Sequence, residues 1–200
     1  MSGIKKFTFD ALGNVTAMYE VKGTRMKLES SYGTTFEAHT GTFTSGQQGV
    51  VEVAAVRLGR GKTETTVYSD GDGDGRFVES FELDVVNVSP YRTENYKFDL
   101  AGETVVTAYE QGKRGWKVDR VDSNEDYSVV TAGSDTFVVK TESEYRGVDF
   151  EVYVDRDGDG LWTKIADGKT SGAYLNADGS VDLVGIAGDG LLAPADVVLV

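Results

Sequence analysis

Along most of the chain apolar residues stand at every second position. Val15, Ala17, Tyr19 and Val21 alternate with Thr16, Met18 and Glu20. Met26 and Leu28 alternate with Arg25, Lys27 and Glu29, and Phe81, Leu83 and Val85 with Glu82 and Asp84. Further on, Val148, Phe150, Val152 and Val154 alternate with Asp149, Glu151 and Tyr153. A period of two puts one face of a strand inward and the other toward water. Gly13-Asn14, Gly23, Gly33, Asp167-Gly168 and Asp178-Gly179 interrupt these runs with turn residues. Short strands at this spacing predict an all-β chain of antiparallel, sandwich-like sheets. Val50 to Leu58 fits either a buried strand or a short helix.

The pattern repeats. Phe9-Asp10 followed by Gly13 matches Phe98-Asp99 followed by Gly102 at an offset of 89. Tyr19-Glu20 matches Tyr109-Glu110, and Met26-Lys27-Leu28-Glu29 matches Trp116-Lys117-Val118-Asp119, both at an offset of 90. A period this long is the size of a small β-sandwich, not of a solenoid repeat. The expectation is two tandem repeats, 1–92 and 93–182, divided near Asn87-Val88-Ser89-Pro90, where proline cannot donate to a central ladder. A single pseudo-symmetric domain is the alternative. Residues 183–200 form an apolar tail that reads either as a final strand or as a C-terminal export signal.

Each repeat carries the same acidic loop. Asp70-Gly71-Asp72-Gly73-Asp74-Gly75 in the first becomes Asp155-Arg156-Asp157-Gly158-Asp159-Gly160 in the second, 85 positions later, so about five residues are missing between them. Carboxylates at positions 1, 3 and 5 of a tight turn can converge on one hard cation, and Ca²⁺ takes about six to eight oxygens. Glycine at position 6 reverses the chain, and the position-7 carbonyl, from Arg76 or Leu161, is a further donor. The glutamate that closes a helix-loop-helix site at position 12 is Phe81 in one copy and Ala166 in the other. An acid follows one place later in both, Glu82 and Asp167, with Glu79 as a second candidate in the first. The flanking residues have strand composition. Two strand-loop-strand Ca²⁺ sites are therefore expected, although single Asp-Gly pairs also serve as plain hairpin turns.

The charge fits this picture. There are 33 acidic and 20 basic residues, a formal net charge of −13. Such a surface repels nucleic acid and anionic lipid, while a bound metal could bridge it to an acidic polymer. With no cysteine there is no disulfide, thiol nucleophile or thiolate zinc site. No apolar run reaches the ~18 residues of a membrane span, so membrane insertion is not expected. Met1 to Phe7 lacks the apolar core of a secretory signal, so export would use a route that does not read it.

Catalytic chemistry finds little footing. His39 is the only histidine, and no Gly-x-Ser-x-Gly elbow accompanies it. Carboxylate pairs could in principle cleave glycosides, but so many acids single out no pair. Phe77 and Trp162, at position 8 of the two loops, read as core, and so does Trp116 in the place of Met26. Tyr32, Tyr91, Tyr96, Tyr127 and Tyr174 lie in polar or turn surroundings, where they would pack at a rim or stack on sugars.

Repeats of this size, the Asp70–Gly75 and Asp155–Gly160 loops, the β content and the tail together resemble the rhizobial adhering proteins. These are calcium-binding lectins with cadherin-like repeats, exported by type I secretion. The resemblance implies a secreted or cell-surface adhesin that binds acidic extracellular polysaccharide and acts in adhesion and biofilm. It supplies no sugar-contacting residue. The competing expectations are a structural module that calcium only rigidifies, and a polysaccharide-cleaving enzyme.

Overall fold

Antiparallel hairpins supply nearly all the regular backbone, as the period-two pattern predicts. The computed structural model describes residues 3–86, 95–132 and 134–192. The chain divides into two compact units, Met1–Arg60 with Glu64–Glu82, and Gly61–Thr63 with Leu83–Val200. The boundary expected at residues 87–92 lies outside the described residues.

In the first unit β1 (Ile4–Phe9), β2 (Val15–Lys22) and β3 (Arg25–Leu28) form a three-stranded sheet in that order. β4 (Thr34–Thr42), β5 (Gln48–Leu58), β6 (Lys62–Ser69) and β7 (Val78–Val86) follow one another in a second sheet, with residues 62–63 of β6 and 83–86 of β7 counted in the second unit. Val50 to Leu58 is thus strand throughout. Val53 and Ala55 are buried at a spacing of two, and a helix would have separated them. Phe7 from the first sheet is the hub of the core. Its ring lies 5.1 Å from that of Phe77, 5.6 Å from Tyr68 and 6.1 Å from Phe36.

The second unit repeats the device. β8 (Tyr96–Ala101), β9 (Thr104–Gly112) and β10 (Gly115–Asp119) are joined through β9 to β11 (Glu125–Ala132), β12 (Asp135–Glu144), β13 (Gly147–Val154) and β14 (Thr163–Thr170). Phe98 is the hub, 5.2 Å from Tyr153, 5.6 Å from Trp162 and 5.8 Å from Tyr127. Tilted and edge-on pairs of this kind each contribute about 0.5–1.5 kcal/mol beyond the area they bury. Tyr127 is therefore core, not rim, and Tyr96 packs against the same cluster.

Strand pairing corrects the alignment of the two copies. Lys5 and Phe77 exchange backbone hydrogen bonds of 2.8 and 2.9 Å, and Tyr96 and Trp162 exchange bonds of 3.2 and 2.8 Å. Lys5 thus corresponds to Tyr96, and Phe98 corresponds to Phe7, not Phe9. The shared Phe-Asp pair misleads because the β1–β2 turn is the longer one, bound by Asp10, whose carboxylate accepts from the N–H of Leu12 and of Asn14. The missing residues are also located: Phe36 pairs with Ala55 across β4–β5, whereas Tyr127 pairs with Lys140 across the shorter β11–β12 hairpin.

Two other expectations change. Met26 and Trp116 are 60% and 41% exposed, because edge strands β3 and β10 have no layer outside them. Residues 183–188 are not a strand but a short helix, α1 (Leu183–Gly188), which buries Leu183 and Ile186 at helical spacing. The Asp182 carboxylate caps it, accepting from the Gly185 N–H at 2.9 Å. Residues 193–200 of the tail lie outside the described residues. No described helix is long and apolar enough to cross a membrane.

Candidate metal centres

Each acidic loop joins the strands that carry the aromatic core, β6 to β7 and β13 to β14. Tyr68 and Phe77 flank the first loop as buried residues, and Tyr153 and Trp162 flank the second. Loop position 8 is core in both, as expected from the sequence. Packing on both sides fixes the two ends of each loop, and hydrogen bonds fix its interior.

Those interior bonds are the same in the two copies. One carboxylate oxygen of Asp70 accepts from the Gly73 N–H at 2.8 Å and the other from the Gly75 N–H at 2.9 Å. Asp155 accepts from Gly158 and Gly160 at 2.8 and 2.9 Å. The second acid accepts from the N–H of the third, Asp74 to Asp72 at 3.2 Å and Asp159 to Asp157 at 3.3 Å. The third accepts from position 7, with the Arg76 N–H 2.7 Å from Asp74 and the Leu161 N–H 2.8 Å from Asp159. The folding of the chain around its first aspartate needs left-handed backbone at positions 4 and 6. Glycine provides it, with φ of 79° and 74° at Gly73 and Gly75, and 75° and 84° at Gly158 and Gly160.

The result is two carboxylate triads. Asp70, Asp72 and Asp74 each offer an oxygen within 4.8 Å of the others, as do Asp155, Asp157 and Asp159. Bonds of 2.3–2.6 Å to Ca²⁺ would set opposite donors about 4.6–5.2 Å apart, so the triads have the spread and the hard-oxygen chemistry that such an ion requires. Without a cation, three carboxylates at this range repel one another.

Neither acid expected to close the shell joins its triad. Glu82 lies along β7 and Asp167 along β14. In the β13–β14 ladder Asp167 sits opposite Glu151, beyond the rungs of Thr163, Lys164 and Ala166, and its carboxylate pairs with Lys164 at 3.6 Å. Position 12 cannot hold an acid either, since Phe81 and Ala166 are at most 1% exposed. These strands turn their loop-side positions into the core, which leaves carbonyls such as those of Arg76 and Leu161, or water, to complete a shell.

The two triads differ in cover, which the sequence reading missed. The longer β4–β5 hairpin folds over the first loop. Thr44 donates both its N–H and its hydroxyl to the Gly71 carbonyl, each at 3.1 Å. Phe43 lies so near Gly73 that a methyl group there would stand 2.9 Å from the ring. The Val51 carbonyl accepts the Asp70 N–H at 2.8 Å. Asp70 is consequently only 3% exposed, whereas Asp155, with the shorter hairpin, is partly open. The residues missing from the second copy were the available signal.

A separate, partly buried polar network borders the core of the second unit. Lys164 donates to Glu151 at 2.9 Å, and the buried Tyr153 hydroxyl donates to the same carboxylate. Burial works against the Glu151 charge, but these two donors outweigh it and hold its pKa below the ordinary carboxylate value. Burial and the Glu151 charge push the Tyr153 hydroxyl up. Nearby, Lys140 pairs with Glu125 at 2.8 Å while Tyr127 donates to Asp119 at 2.8 Å. Every group has an opposite partner, so the network reads as structural. His39 is exposed on β4 with Glu52 opposite it. Of the other tyrosines, Tyr32 is 92% exposed, Tyr174 donates to Asp189 at 2.6 Å, and Tyr91 lies outside the described residues.

Compared with protein-family models, curated proteins and solved structures, the chain matches none.

Proposed function

We propose that the protein is a secreted, calcium-binding adhesin of lectin type, built as two tandem sandwich-like repeats, that binds acidic extracellular polysaccharide in a calcium-dependent way. The observation that carries this reading is the pair of matching carboxylate triads. A plain turn needs one Asp-Gly, whereas here three acids converge twice with the same supporting hydrogen bonds and the same left-handed glycines. Asp70, Asp72 and Asp74 would hold one Ca²⁺ and Asp155, Asp157 and Asp159 another. In each loop the ion would offset the mutual repulsion of three carboxylates. At the second loop, where Asp155 is partly open as well as Asp157 and Asp159, it would keep a wider face for a sugar carboxylate. The resemblance to the rhizobial adhering proteins supports polysaccharide as the partner and the cell exterior as the location.

The burial of Asp70 favours a second reading for the first loop. A triad whose first aspartate is buried supports a role in which calcium rigidifies the unit and meets no ligand. A binding isotherm against an acidic polysaccharide, with calcium and with chelator, tests the whole proposal. Calcium-dependent binding that Asp157→Ala removes and Asp72→Ala spares supports both readings. Absence of binding at millimolar calcium leaves the purely structural module.

A further inference from the structure

The outer face of the β8–β9–β10 sheet has no layer of described residues over it and combines features that a buried or merely solvated face would not. Phe98, Ala108 and Asp119 point inward, where Asp119 meets the core residue Tyr127. Strand alternation therefore turns Lys97, Tyr109, Trp116 and Val118 outward. Pairing aligns Lys97, Tyr109 and Val118 in one row across the three strands and puts Gln111 opposite Trp116 in the next. Trp116 and Tyr109 are thus diagonal neighbours, within reach of one another's rings. Trp116 is 41% exposed, and Tyr109 is held in place by its hydrogen bond to Asp99 at 2.8 Å and by Lys97, 5.7 Å from its ring centre.

Cations lie beside the outward-facing aromatic residues of this sheet. Elsewhere in the unit Lys140, Lys164 and Lys169 are ion-paired, while Arg120, Arg146 and Arg156 make no ion pair among the described residues. Among the described residues no ion pair takes Lys97, or Lys113 and Arg114 in the exposed β9–β10 turn. Cations without an ion pair among the described residues, beside an exposed indole on a protein of net charge −13, are complementary to an anion that also has an apolar surface.

We infer that this face is the polysaccharide-contacting surface, with Trp116 and Tyr109 stacking on pyranose rings and Lys97, Lys113 and Arg114 meeting uronate carboxylates. The inference rests on the polysaccharide reading above and names its contacts. The polarised C–H groups of a sugar ring suit the electron-rich face of an aromatic ring. Gln111 and the Asp99 carboxylate stand beside the stack as partners for sugar hydroxyls. Asp99 also argues against nucleic acid, whose phosphodiesters have no hydrogen to give a carboxylate. The first unit keeps the row, as Lys6, Tyr19 and Leu28, but has Met26 in place of the indole. The stacking site is accordingly assigned to the second unit.

The test uses the full chain in calcium, with polygalacturonate oligomers as ligand and neutral dextran and single-stranded DNA as controls. Trp162 is buried, so acrylamide quenching reports chiefly on Trp116, and the oligomers should protect it. Trp116→Ala and the Lys113→Glu/Arg114→Glu pair should each weaken binding about tenfold or more, with thermal melts unchanged. Wild-type binding that both variants retain would overturn this assignment and leave the polysaccharide reading standing. No binding by the wild type would overturn both. Equal or tighter binding of DNA would overturn the glycan in favour of a general polyanion surface.

Discussion

The N–H of Gly75 reaches back five residues to the Asp70 carboxylate at 2.9 Å. Asp70 thus does two things at once: it organises the loop through its hydrogen bonds and contributes to the carboxylate cluster. Asp72 stands in the same cluster but is exposed and accepts a single long bond. Asp70→Ala should therefore destabilise the first unit by about 1–3 kcal/mol even in chelator, because it strands two donors. Asp72→Ala should cost nothing in chelator and remove one calcium site. Urea titrations with and without metal check both, and equal behaviour of the two variants would contradict the division of labour.

Calorimetry should find two Ca²⁺ sites in the ~10⁻⁴–10⁻³ M range of extracellular modules, since among the described residues no fourth carboxylate joins either triad. At about 100 times the dissociation constant each site should add ~2.7 kcal/mol to stability. A melting temperature that chelator does not move would reduce the loops to turns.

Phe98→Ala should cost about 3–5 kcal/mol, because the ring is shared by three aromatic neighbours that cannot all close on the cavity. Phe9→Ala should cost clearly less, although the sequence repeat pairs Phe9 with Phe98. Comparable losses would mean that the strand pairing described above is not the one that determines stability.

Glu151 gives a pH dependence with a definite sign. Its folded pKa lies below the ordinary 4.5, so its contribution is present above that value and is lost as pH falls through the folded one. Glu151→Gln should flatten the decline of the melting temperature on the acid side of pH 4.5 and leave the neutral range unchanged in slope. Lys164→Met should raise the Glu151 pKa and shift the decline upward, measurable by carboxyl titration in NMR.

Strand content was legible because a half-buried β layer imposes period two on its own sequence, as at Phe81, Leu83 and Val85. The acidic loops were legible for a different reason: three acids and two glycines at fixed spacing depend only on local backbone. What followed the loops was not. Glu82 and Asp167 were chosen by counting along the chain, but a strand rising about 3.3 Å per residue carries such residues away from the turn. Met26 and Trp116 alternate just as core residues do. Alternation says which face a side chain takes and not whether another layer covers it. The tail misled likewise, since an apolar run this short fits strand or helix until the three-residue spacing of buried Leu183 and Ile186 and the Asp182 cap select the helix.

The longer β4–β5 hairpin has a consequence for timing. With Phe43 against Gly73 and Thr44 bound to the Gly71 carbonyl, the side of the first loop that holds the buried Asp70 is closed, and an ion there would leave past the exposed Asp72 and Asp74 alone. Among the described residues no such cover reaches the second loop, which would exchange directly with the surrounding water. One chain would then respond to calcium on two clocks, holding its first unit through a brief depletion while the second releases and recaptures its ion.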